Sequence, residues 1–453
     1  MPGASVLWLR RDLRLGDNPA LSQAAASGGV LALFVLDPRL LHASGRPRLA
    51  HLIGALRALD ADLREHGRGL VVRAGDPVEV VPAVAAEVAA DSVHIAADFA
   101  PYGAARDRRV EAALAERPGV PLVRTGSPYA VAPGRVLSKS GDGFKVFTPF
   151  YRAWLEHGWR EPADSDPAAV DWVGAPSDPL PRVPSGLEDL DLPAAGERAA
   201  LERWHAFDAS TYGEERDRPD LDSTSRMSVH LKWGTIHPRT LLADLKPAGS
   251  DPQHDKYRSE LAWREFYAAV LHHWPDSARD YFQPQLAAMP YADGAALDHL
   301  LDAWATGRTG FPIIDAGMRQ LLGEGWMHNR VRMLVASFLV KDLHVEWTHG
   351  ARHFMRHLVD GDLASNQHGW QWVAGCGTDA APYFRIFNPI TQGLKFDPNG
   401  DYVRRWVPEL ADLPGATAHE PWKHGTPRGY PARIVDHAVE RQASLDAYQE
   451  VKR

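Results

Sequence analysis

Four side chains of different chemistry recur at helical spacing within residues 255–274. Glu260, Trp263, Arg264 and Tyr267 stand at i, i+3, i+4 and i+7, so they share one face of the helix that we predict there. One interpretation is a second buried face with an intrahelical Glu260–Arg264 pair. The other is a recognition surface, on which Trp263 stacks against a flat ring while Glu260 accepts hydrogen bonds from it. Another face carries the predicted core stripe, which comprises Ala262, Phe266, Ala269, Val270 and His273.

An amide and a thioether lie one turn apart in a second predicted helix. Asn329 and Met333 share a face there, next to His328, Arg330 and Arg332. Such a pair suits a partly apolar pocket that must still bind a polar edge. The spacing alone favours the alternative, an ordinary helix with a methionine in the core.

Hydroxyl side chains and an arginine cluster at residues 222–228, before an apolar run that stops at Gly234. Asp, Ser and Thr at this place first of all predict a helix cap. The same groups, with the free N–H groups of a helix start, also suit an anion and hence the phosphates of a cofactor.

The sequence Asp360-Gly361-Asp362 is followed by Asn366 and Trp370. Asp-Gly-Asp is typical of a turn. A helix would place Asn366 and Trp370 on one face, because they are four residues apart. An amide that faces a redox-active ring, with an indole one turn away, would form a path for an electron. Core packing is the alternative for Trp370.

The first third of the chain must supply a scaffold of alternating strands and helices. Apolar runs predict buried strands at 5–9, 30–36, 70–73, 93–96 and 120–123, and amphipathic segments predict helices at 50–66, 77–90 and 102–117. This alternation predicts a doubly wound parallel sheet, although no G-x-G-x-x-G follows the first strand. Seven prolines between 161 and 193 predict a long ordered crossing or a linker, and helical periodicity dominates from about residue 200.

Composition excludes several classes of protein. The chain has 453 residues and a net charge of −8, so a globally basic nucleic-acid coat is excluded. A single cysteine, Cys376, rules out an intrachain disulfide and a cysteine-based zinc site, and no metal is expected. Apolar runs such as 30–36 are far shorter than the ~20 residues of a membrane span. With no signal-peptide pattern, we expect a cytoplasmic protein that does not bind membranes.

Several long motifs in order give the chain a family resemblance. It resembles the photolyase/cryptochrome flavoproteins, and within them the class I cyclobutane pyrimidine dimer photolyases. The residues that carry the resemblance are 7–15, 17–18, 224–228, 260–267, 309–319, 325–333, 360–362, 366, 370–372 and 378–389.

The resemblance implies a fold and a cofactor. We expect an α/β antenna domain at 1–125, a connection at 126–199 and an all-α FAD-binding domain at 200–453. Tyr212, Arg216 and Thr224, Ser225, Arg226, Met227 and Ser228 should bind the phosphates and nearby groups of FAD. Asp360, Gly361 and Asp362 should hold its adenosine and isoalloxazine side. Arg330 should pair with Asp360, and Asn366 should face flavin N5.

The resemblance also implies an activity, the light-driven splitting of pyrimidine dimers in UV-damaged DNA by an electron from excited FADH⁻. The lesion would be flipped into a pocket, where Trp263 forms the apolar wall and Glu260 hydrogen-bonds the pyrimidine. Asn329, Met333 and Gln392 should line this pocket or contact the strand. The expected DNA contacts are Arg216, Glu260, Trp263, Arg264, Tyr267, Asn329 and Gln392, and a monomer is expected.

Other functions remain open from the sequence. The (6-4) photolyases resemble the chain but have histidines at the positions of Asn329 and Met333. A cryptochrome-like blue-light photoreceptor without repair activity is the main alternative, although plant and insect members have Asp or Cys where Asn366 stands. A dark flavin electron carrier is a third.

The resemblance also implies a chain of redox-active side chains and a second chromophore. Trp370 and Trp347 match two tryptophans that reduce the flavin, whereas Tyr291 stands where the family has a third. Tyr291 is the expected terminal donor, with Trp304 or weak photoreduction as alternatives. Residues 98–109 resemble deazaflavin-binding members more than those that bind methenyltetrahydrofolate; a flavin, an empty cavity or an ordinary surface helix start remain alternatives.

Overall fold

The computed structural model describes residues 3–188, 190–379, 384–425 and 427–452. These residues divide into two compact units. Unit 1 contains Met1–Leu187, Pro193–Ala209 and Ser225–Pro275, and unit 2 contains Glu188–Leu192, Ser210–Thr224 and Asp276–Arg453. Glu260 and Trp263 therefore belong to unit 1, whereas Asn366 and Trp370 belong to unit 2.

A five-stranded parallel sheet forms the centre of the N-terminal part of unit 1. Its strands are β1 (Ala4–Leu9), β2 (Gly29–Leu36), β3 (Val71–Ala74), β4 (Ala90–Ile95) and β5 (Leu122–Arg124). Their order is β3-β2-β1-β4-β5, with Val6 opposite Leu31 on one side and Val93 on the other. All eight residues of β2 are buried, as expected of a strand covered on both faces. The predicted doubly wound sheet is confirmed.

Helices follow the strands, and local sequence fixes where several begin. An Asn or Asp that caps the helix, followed by proline in the first turn, starts the helices at Pro19, Pro38 and Pro77. The helices of this part are α1 (Pro19–Ala25), α2 (Pro38–Ala43), α3 (Arg46–Glu65), α4 (Pro77–Glu87), α5 (Pro101–Glu116), α6 (Phe147–His157) and α7 (Glu197–His205).

The proline-rich segment is irregular, as predicted, and it is tied to the sheet of unit 1. Val30 N donates to Asp171 O, and Val173 N donates to Val30 O, both at 2.8 Å. Asp178 N donates to Val72 O at the same distance. The segment 171–178 thus runs beside β2 and β3 without forming a regular strand.

The remaining helices fall in both units. In chain order they are α8 (Tyr212–Glu215), α9 (Ser228–Trp233), α10 (Pro238–Asp244), α11 (Pro252–His273), α12 (Gly294–Ala305), α13 (Pro312–Glu324), α14 (Asn329–Lys341), α15 (Trp347–His357), α16 (Leu363–Ala374), α17 (Pro389–Phe396), α18 (Asp401–Trp406) and α19 (His437–Lys452). Within the described ranges no strand follows Arg124, which confirms the predicted helical C-terminal part.

The core of unit 2 is built from α13, α14, α15 and α16. Trp304, Trp347 and Phe338 are fully or almost fully buried in it. Gly350 lets α15 and α16 approach closely, because a Cβ there would lie 2.1 Å from Cη2 of Trp370. Among the described helices, none has both the length and the apolar character that crossing a bilayer requires.

The predicted cap at residues 222–228 is wrong. The N-cap of α9 is Met227, and it makes no side-chain hydrogen bond to the helix start. Arg226, just before it, has a φ of 54°, so the chain turns sharply after Ser223, Thr224 and Ser225, and these three residues precede the helix without capping it. The predicted stop is correct, since Gly234 ends α9 with a φ of 66°.

Candidate active site

Glu260, Trp263, Arg264 and Tyr267 form a half-buried face of α11. Trp263 makes a close stacking contact there. The Trp263 ring stacks on Phe147 of α6 with 3.8 Å between centroids and 9° between planes. Phe147 covers one face of the indole, so a flat ligand ring has only the opposite face to meet. Phe147 was not predicted as a site residue, although aromatic residues recur at 144, 147, 150 and 151.

Arg264 attaches α11 to neighbouring segments of unit 1. Its Nη1 donates to Pro128 O at 2.9 Å, its Nη2 donates to Leu231 O at 3.0 Å, and the guanidinium lies over Tyr129. Glu260 lies 3.6 Å from Lys256 Nζ, one turn back along the helix. On this face, Arg264 is therefore fixed by hydrogen bonds to the backbone, whereas the carboxylate of Glu260 is partly exposed.

The core stripe of α11 is mostly as predicted. Ala262, Phe266, Ala269 and Val270 are buried, but His273 is only half-buried because it is the last helical residue. The buried Glu265 was not predicted, yet it fixes the rotation of the helix. Its carboxylate accepts hydrogen bonds from Ala130 N, Val131 N and Trp154 Nε1, at 2.5–3.0 Å.

The hydroxyl-rich segment divides between the two units. Thr224 lies in unit 2 with Tyr212 and Arg216, whereas Ser225, Arg226, Met227 and Ser228 lie in unit 1. Ser225 Oγ is 2.8 Å from the buried Tyr257 hydroxyl, and Ser225 O accepts from Arg203 Nε at 3.1 Å. Ser228 is exposed at the first turn of α9.

Two predicted cofactor residues of unit 2 meet around Asp217. Arg330 Nη2 donates to Asp217 Oδ2 at 2.8 Å, and Arg216 Nε lies 3.7 Å from Asp217 Oδ1. Burial opposes ionisation of Asp217, but the Arg330 hydrogen bond and the nearby charges lower its pKa overall. Tyr212 lies under the Arg216 guanidinium. The sequence reasoning missed Asp217, although it directly follows Arg216.

The expected Arg330–Asp360 pair is wrong. Asp360 Oδ2 accepts from Arg332 Nη2 at 2.8 Å. Residues two apart in a helix point about 200° apart, so Arg330 and Arg332 leave α14 on different sides. The buried Oδ1 of Asp360 has no hydrogen-bond partner within the described ranges. It is therefore an acceptor that a ligand N–H or O–H could satisfy.

The Asp-Gly-Asp turn leads into α16 as the sequence predicts. Asp362 caps this helix by accepting from Ser365 N at 3.2 Å, one residue after Gly361. Asn366 follows one turn later, and its Nδ2 donates to Ala351 O at 3.2 Å and to Gln367 Oε1 at 2.8 Å. Both amide protons are thus used, and Oδ1 is the atom of this side chain that can accept a further hydrogen bond.

Trp370 is buried among aromatic side chains of unit 2. It makes edge contacts with Phe354 at 5.0 Å and with Trp304 at 6.1 Å between centroids. Trp347, at the start of α15, is 0% exposed and makes an edge contact with Tyr281 at 5.9 Å. Tyr281, which the sequence analysis did not consider, is hydrogen-bonded to Tyr291.

The predicted lesion-pocket residues of unit 2 lie on two helices. Asn329 is exposed at the first position of α14, and Met333, one turn later, packs against the core. His328 caps the helix by accepting from Arg330 N, and burial lowers the pKa of His328 to about 4. Gln392 is half-buried on α17. Residues 380–383 of the last family motif lie outside the described residues.

A charged cluster lies at the carboxyl ends of β1 and β4, where the winding of the sheet reverses. Arg10 and Arg106 both pair with Asp107, at 3.0 and 2.8 Å, and both lie over Trp8. Burial opposes ionisation of Asp98, but Arg11, Arg106 and Arg10 lower its pKa overall. In parallel sheets this switch point is where ligands bind.

Comparison with known proteins places the chain in a family. Residues 5–169 match the model described as DNA photolyase, and residues 257–450 match the FAD binding domain of DNA photolyase. A deoxyribodipyrimidine photo-lyase of Streptomyces griseus is 42% identical to this chain. The alignment covers 96% of this chain and 97% of the Streptomyces protein. The chain belongs to the DNA photolyase family.

Two solved structures are similar along nearly their whole length. A class III photolyase from Agrobacterium tumefaciens has a TM-score of 0.92 and 37% identity, with 100% of this chain and 98% of that chain covered. An archaeal photolyase from Sulfolobus tokodaii with two FAD molecules has a TM-score of 0.83 and 30% identity, with 99% and 100% covered.

Proposed function

We propose that this chain is a light-dependent DNA repair enzyme, a deoxyribodipyrimidine photo-lyase that splits cyclobutane pyrimidine dimers. The observation that carries the proposal is full-length similarity at 42% identity to a photo-lyase, with family matches in both the N-terminal and the C-terminal part. Bound FAD, in its reduced form, supplies the photoexcited electron donor. The protein binds, orients and shields the reactants.

The donors and acceptors of unit 2 fit a flavin dinucleotide. Arg216 and Arg330 provide two cations for its phosphates, with Tyr212 and Thr224 as further contacts. The Oδ1 of Asp360, which has no partner among the residues that the structure describes, suits an N–H or O–H group of the cofactor, with Gly361 and Asp362 beside it. Asn366 Oδ1 is available to accept a hydrogen bond from the flavin ring near N5.

The lesion-binding role rests on the half-buried face of α11 that carries Glu260, Trp263 and Tyr267. Trp263, stacked on Phe147, presents a rigid apolar wall for the fused pyrimidines, and Glu260 accepts a hydrogen bond from their N–H groups. Tyr267 extends this face. Arg264 acts here as a positioning residue, because its Nη atoms already hold two backbone carbonyls.

DNA contacts are also proposed for unit 2, at Asn329, Met333, Gln392 and Arg216. The segment 316–360 carries six Lys or Arg against four Asp or Glu, so its local charge suits a phosphate backbone despite the net charge of −8. We further propose that the chain acts as a monomer in the cytoplasm.

Trp370 and Trp347 would carry electrons to a bound, oxidised flavin, with Tyr291 as the terminal donor. Trp304 is 0% exposed, so it could not readily be re-reduced from solvent, which favours Tyr291 over it.

A second chromophore is proposed for the cluster at the sheet switch point. The Sulfolobus photolyase with two FAD molecules supports a second site in the family. Asp98, Tyr102 and Arg106 belong to the segment 98–109 that suggested this site, and Tyr102 donates to Asp37 at 2.5 Å. Burial of Arg106 and Asp107 argues against an ordinary surface helix start. We propose a deazaflavin here, and reconstitution with deazaflavin, methenyltetrahydrofolate or FAD, read by absorbance, tests it.

Binding of damaged DNA tests the lesion face. The flavin-loaded protein should bind a single-stranded oligonucleotide with one thymine dimer more tightly than the undamaged strand, with an affinity that weakens as salt rises. Trp263→Ala should lose the preference for the dimer, whereas Trp159→Ala, on an aromatic residue outside the α11 face, should retain it. Equal binding of damaged and undamaged strands by the wild type would contradict the proposal.

A further inference from the structure

The segment before α12 brings two phenols close to Trp347, and the residue directly before α15 adds a carboxylate. The Tyr281 hydroxyl lies 3.1 Å from Glu346 Oε1 and 3.2 Å from the Tyr291 hydroxyl. The ring of the same tyrosine meets Trp347 edge-on, at 5.9 Å and 82°. Tyr281 is thus the side chain that joins Trp347 to Tyr291 within unit 2.

We propose that Tyr281 is the electron donor to Trp347 and that Glu346 accepts its proton. The inference rests on the proposed function, because the oxidant would be the photoexcited, oxidised flavin of the loaded protein, to which Trp370 would give one electron. Trp347 then re-reduces Trp370. Tyr281 gives one electron to the Trp347 radical cation, its O–H bond breaks, and the proton passes to the carboxylate of Glu346. The Tyr291 O–H bond then breaks and its hydrogen atom passes to the Tyr281 radical, which restores the Tyr281 phenol and leaves the radical on Tyr291.

The surroundings of the tryptophans favour onward transfer of the charge. The indole Nε1 atoms of Trp347 and Trp370 are buried and have no hydrogen-bond partner within the described ranges. An oxidised indole in such a place has no neighbouring acceptor for its N–H proton. The positive charge therefore persists on the ring until a neighbouring donor supplies an electron.

The surroundings of the tyrosine favour proton-coupled oxidation. Burial raises the pKa of Tyr281, and Tyr291 and Glu346 raise it further, so the phenol is protonated at neutral pH. Burial raises the pKa of Tyr291 to about 12. The Oε1 of Glu346 lies within hydrogen-bond distance of the Tyr281 phenol and can accept its proton.

Backbone contacts hold this arrangement in place. Glu346 is the residue before α15, and its Oε2 accepts from Thr348 Oγ1 at 2.9 Å. The neighbouring Phe282 N donates to Gln371 Oε1 on α16 at 2.8 Å, and Ala292 N donates to His344 O at 2.7 Å. The segment that carries the two phenols is therefore hydrogen-bonded at one end to α16, which carries Trp370. At its other end it is bonded to the residues just before α15, which begins at Trp347.

Time-resolved absorption of the flavin-loaded protein tests the proposal. After a flash, the wild type should show a tryptophan radical that decays as a tyrosyl radical forms, with a slower decay in D2O than in H2O. Tyr281→Phe should lose both the tyrosyl signal and the solvent isotope effect. Glu346→Gln, which keeps the shape but not the basicity, should lengthen the life of the tryptophan radical.

Two matched variants separate this role from a general effect of phenols. Tyr291→Phe should keep the isotope effect, because Tyr281 and Glu346 remain. Tyr430→Phe, which removes another phenol–carboxylate bond of unit 2, to Asp315 at 2.7 Å, should behave as the wild type. An unchanged tryptophan radical decay and isotope effect in Tyr281→Phe would overturn the proposal. Dimer repair by chemically reduced wild-type protein tests the proposed function separately.

Discussion

Two arginines of α14, two positions apart, hold different carboxylates of unit 2. Arg332 binds Asp360, whose side chain is 2% exposed, whereas Arg330 binds Asp217, whose side chain is 32% exposed. If its arginine is removed, the buried Asp360 carboxylate is left without a partner and destabilises the fold more than Asp217 does. Water can solvate the more exposed Asp217 in the same situation. The two pairs thus differ in what they contribute to stability.

We expect Arg332→Met to destabilise the flavin-free protein by about 2 kcal/mol, since it strands the buried Asp360 carboxylate. Arg330→Met, the matched variant, should cost less than about 1 kcal/mol. Urea titrations followed by tryptophan fluorescence measure both. A larger loss in Arg330→Met than in Arg332→Met would show that the ion pairs are assigned to the wrong arginines.

Trp370 and Trp372 lie on the same helix but point to different sides, which makes them a matched pair. Trp370→Phe should abolish light-driven reduction of the bound flavin, because the first donor is removed. Trp372→Phe should leave it in place. Absorbance during illumination with an external reductant measures flavin reduction in both variants. Normal photoreduction in Trp370→Phe would contradict the assignment of Trp370 as the first electron donor.

At the scale of elements, the distance between α15 and α16 determines how closely the redox-active residues lie. Gly350 faces the ring of Trp370 and stands one turn after Trp347 on α15. The absence of a side chain at this one position lets the indole lie against the neighbouring helix. A close approach here shortens the path between the two tryptophans.

Gly350→Ala should destabilise the protein by about 2 kcal/mol through overpacking. The new Cβ would lie 2.1 Å from Trp370 Cη2 and 2.7 Å from Leu339 Cδ2. Flavin photoreduction should slow as the ring shifts. Gly369→Ala on α16 has nothing within 4 Å of its Cβ and should instead stabilise by about 0.4–1 kcal/mol. Equal stability of the two variants would contradict the observed packing.

Elements were predictable from the sequence where their causes are local. The strands of the sheet are continuous apolar runs, and Asp or Asn before Pro marks several helix starts, so both could be located. The Arg330–Asp360 pair was wrong because the partner depends on how α14 is rotated relative to another segment. Tyr281 was missed because its irregular segment has no periodicity to indicate which way a side chain points.

At the scale of the whole molecule, buried histidines in both units link stability to pH. Burial lowers the pKa of His51 and His368 to about 4 and that of His230 and His353 to about 3. The unfolded chain therefore binds protons near pH 6.5 that the folded chain does not bind. This part of the stability is fully present above pH 6.5 and is lost as the pH falls towards 4.

We expect the free energy of unfolding to fall steadily between pH 6.5 and pH 4. His51→Phe should make this slope shallower by up to about 1.4 kcal/mol per pH unit, the effect of one proton. His42→Phe, at an exposed position, should leave the slope unchanged. Urea titrations across this pH range measure the slopes, and a stability that rises on acidification would contradict the account.

The central claim is that the chain uses light to split pyrimidine dimers in DNA. The most direct measurement follows an oligonucleotide with one thymine dimer, incubated with chemically reduced, flavin-loaded protein under blue light and in the dark. The account predicts intact thymines in the light and an unchanged dimer in the dark. A dimer that persists under illumination, with reduced flavin bound and the oligonucleotide bound, would contradict it.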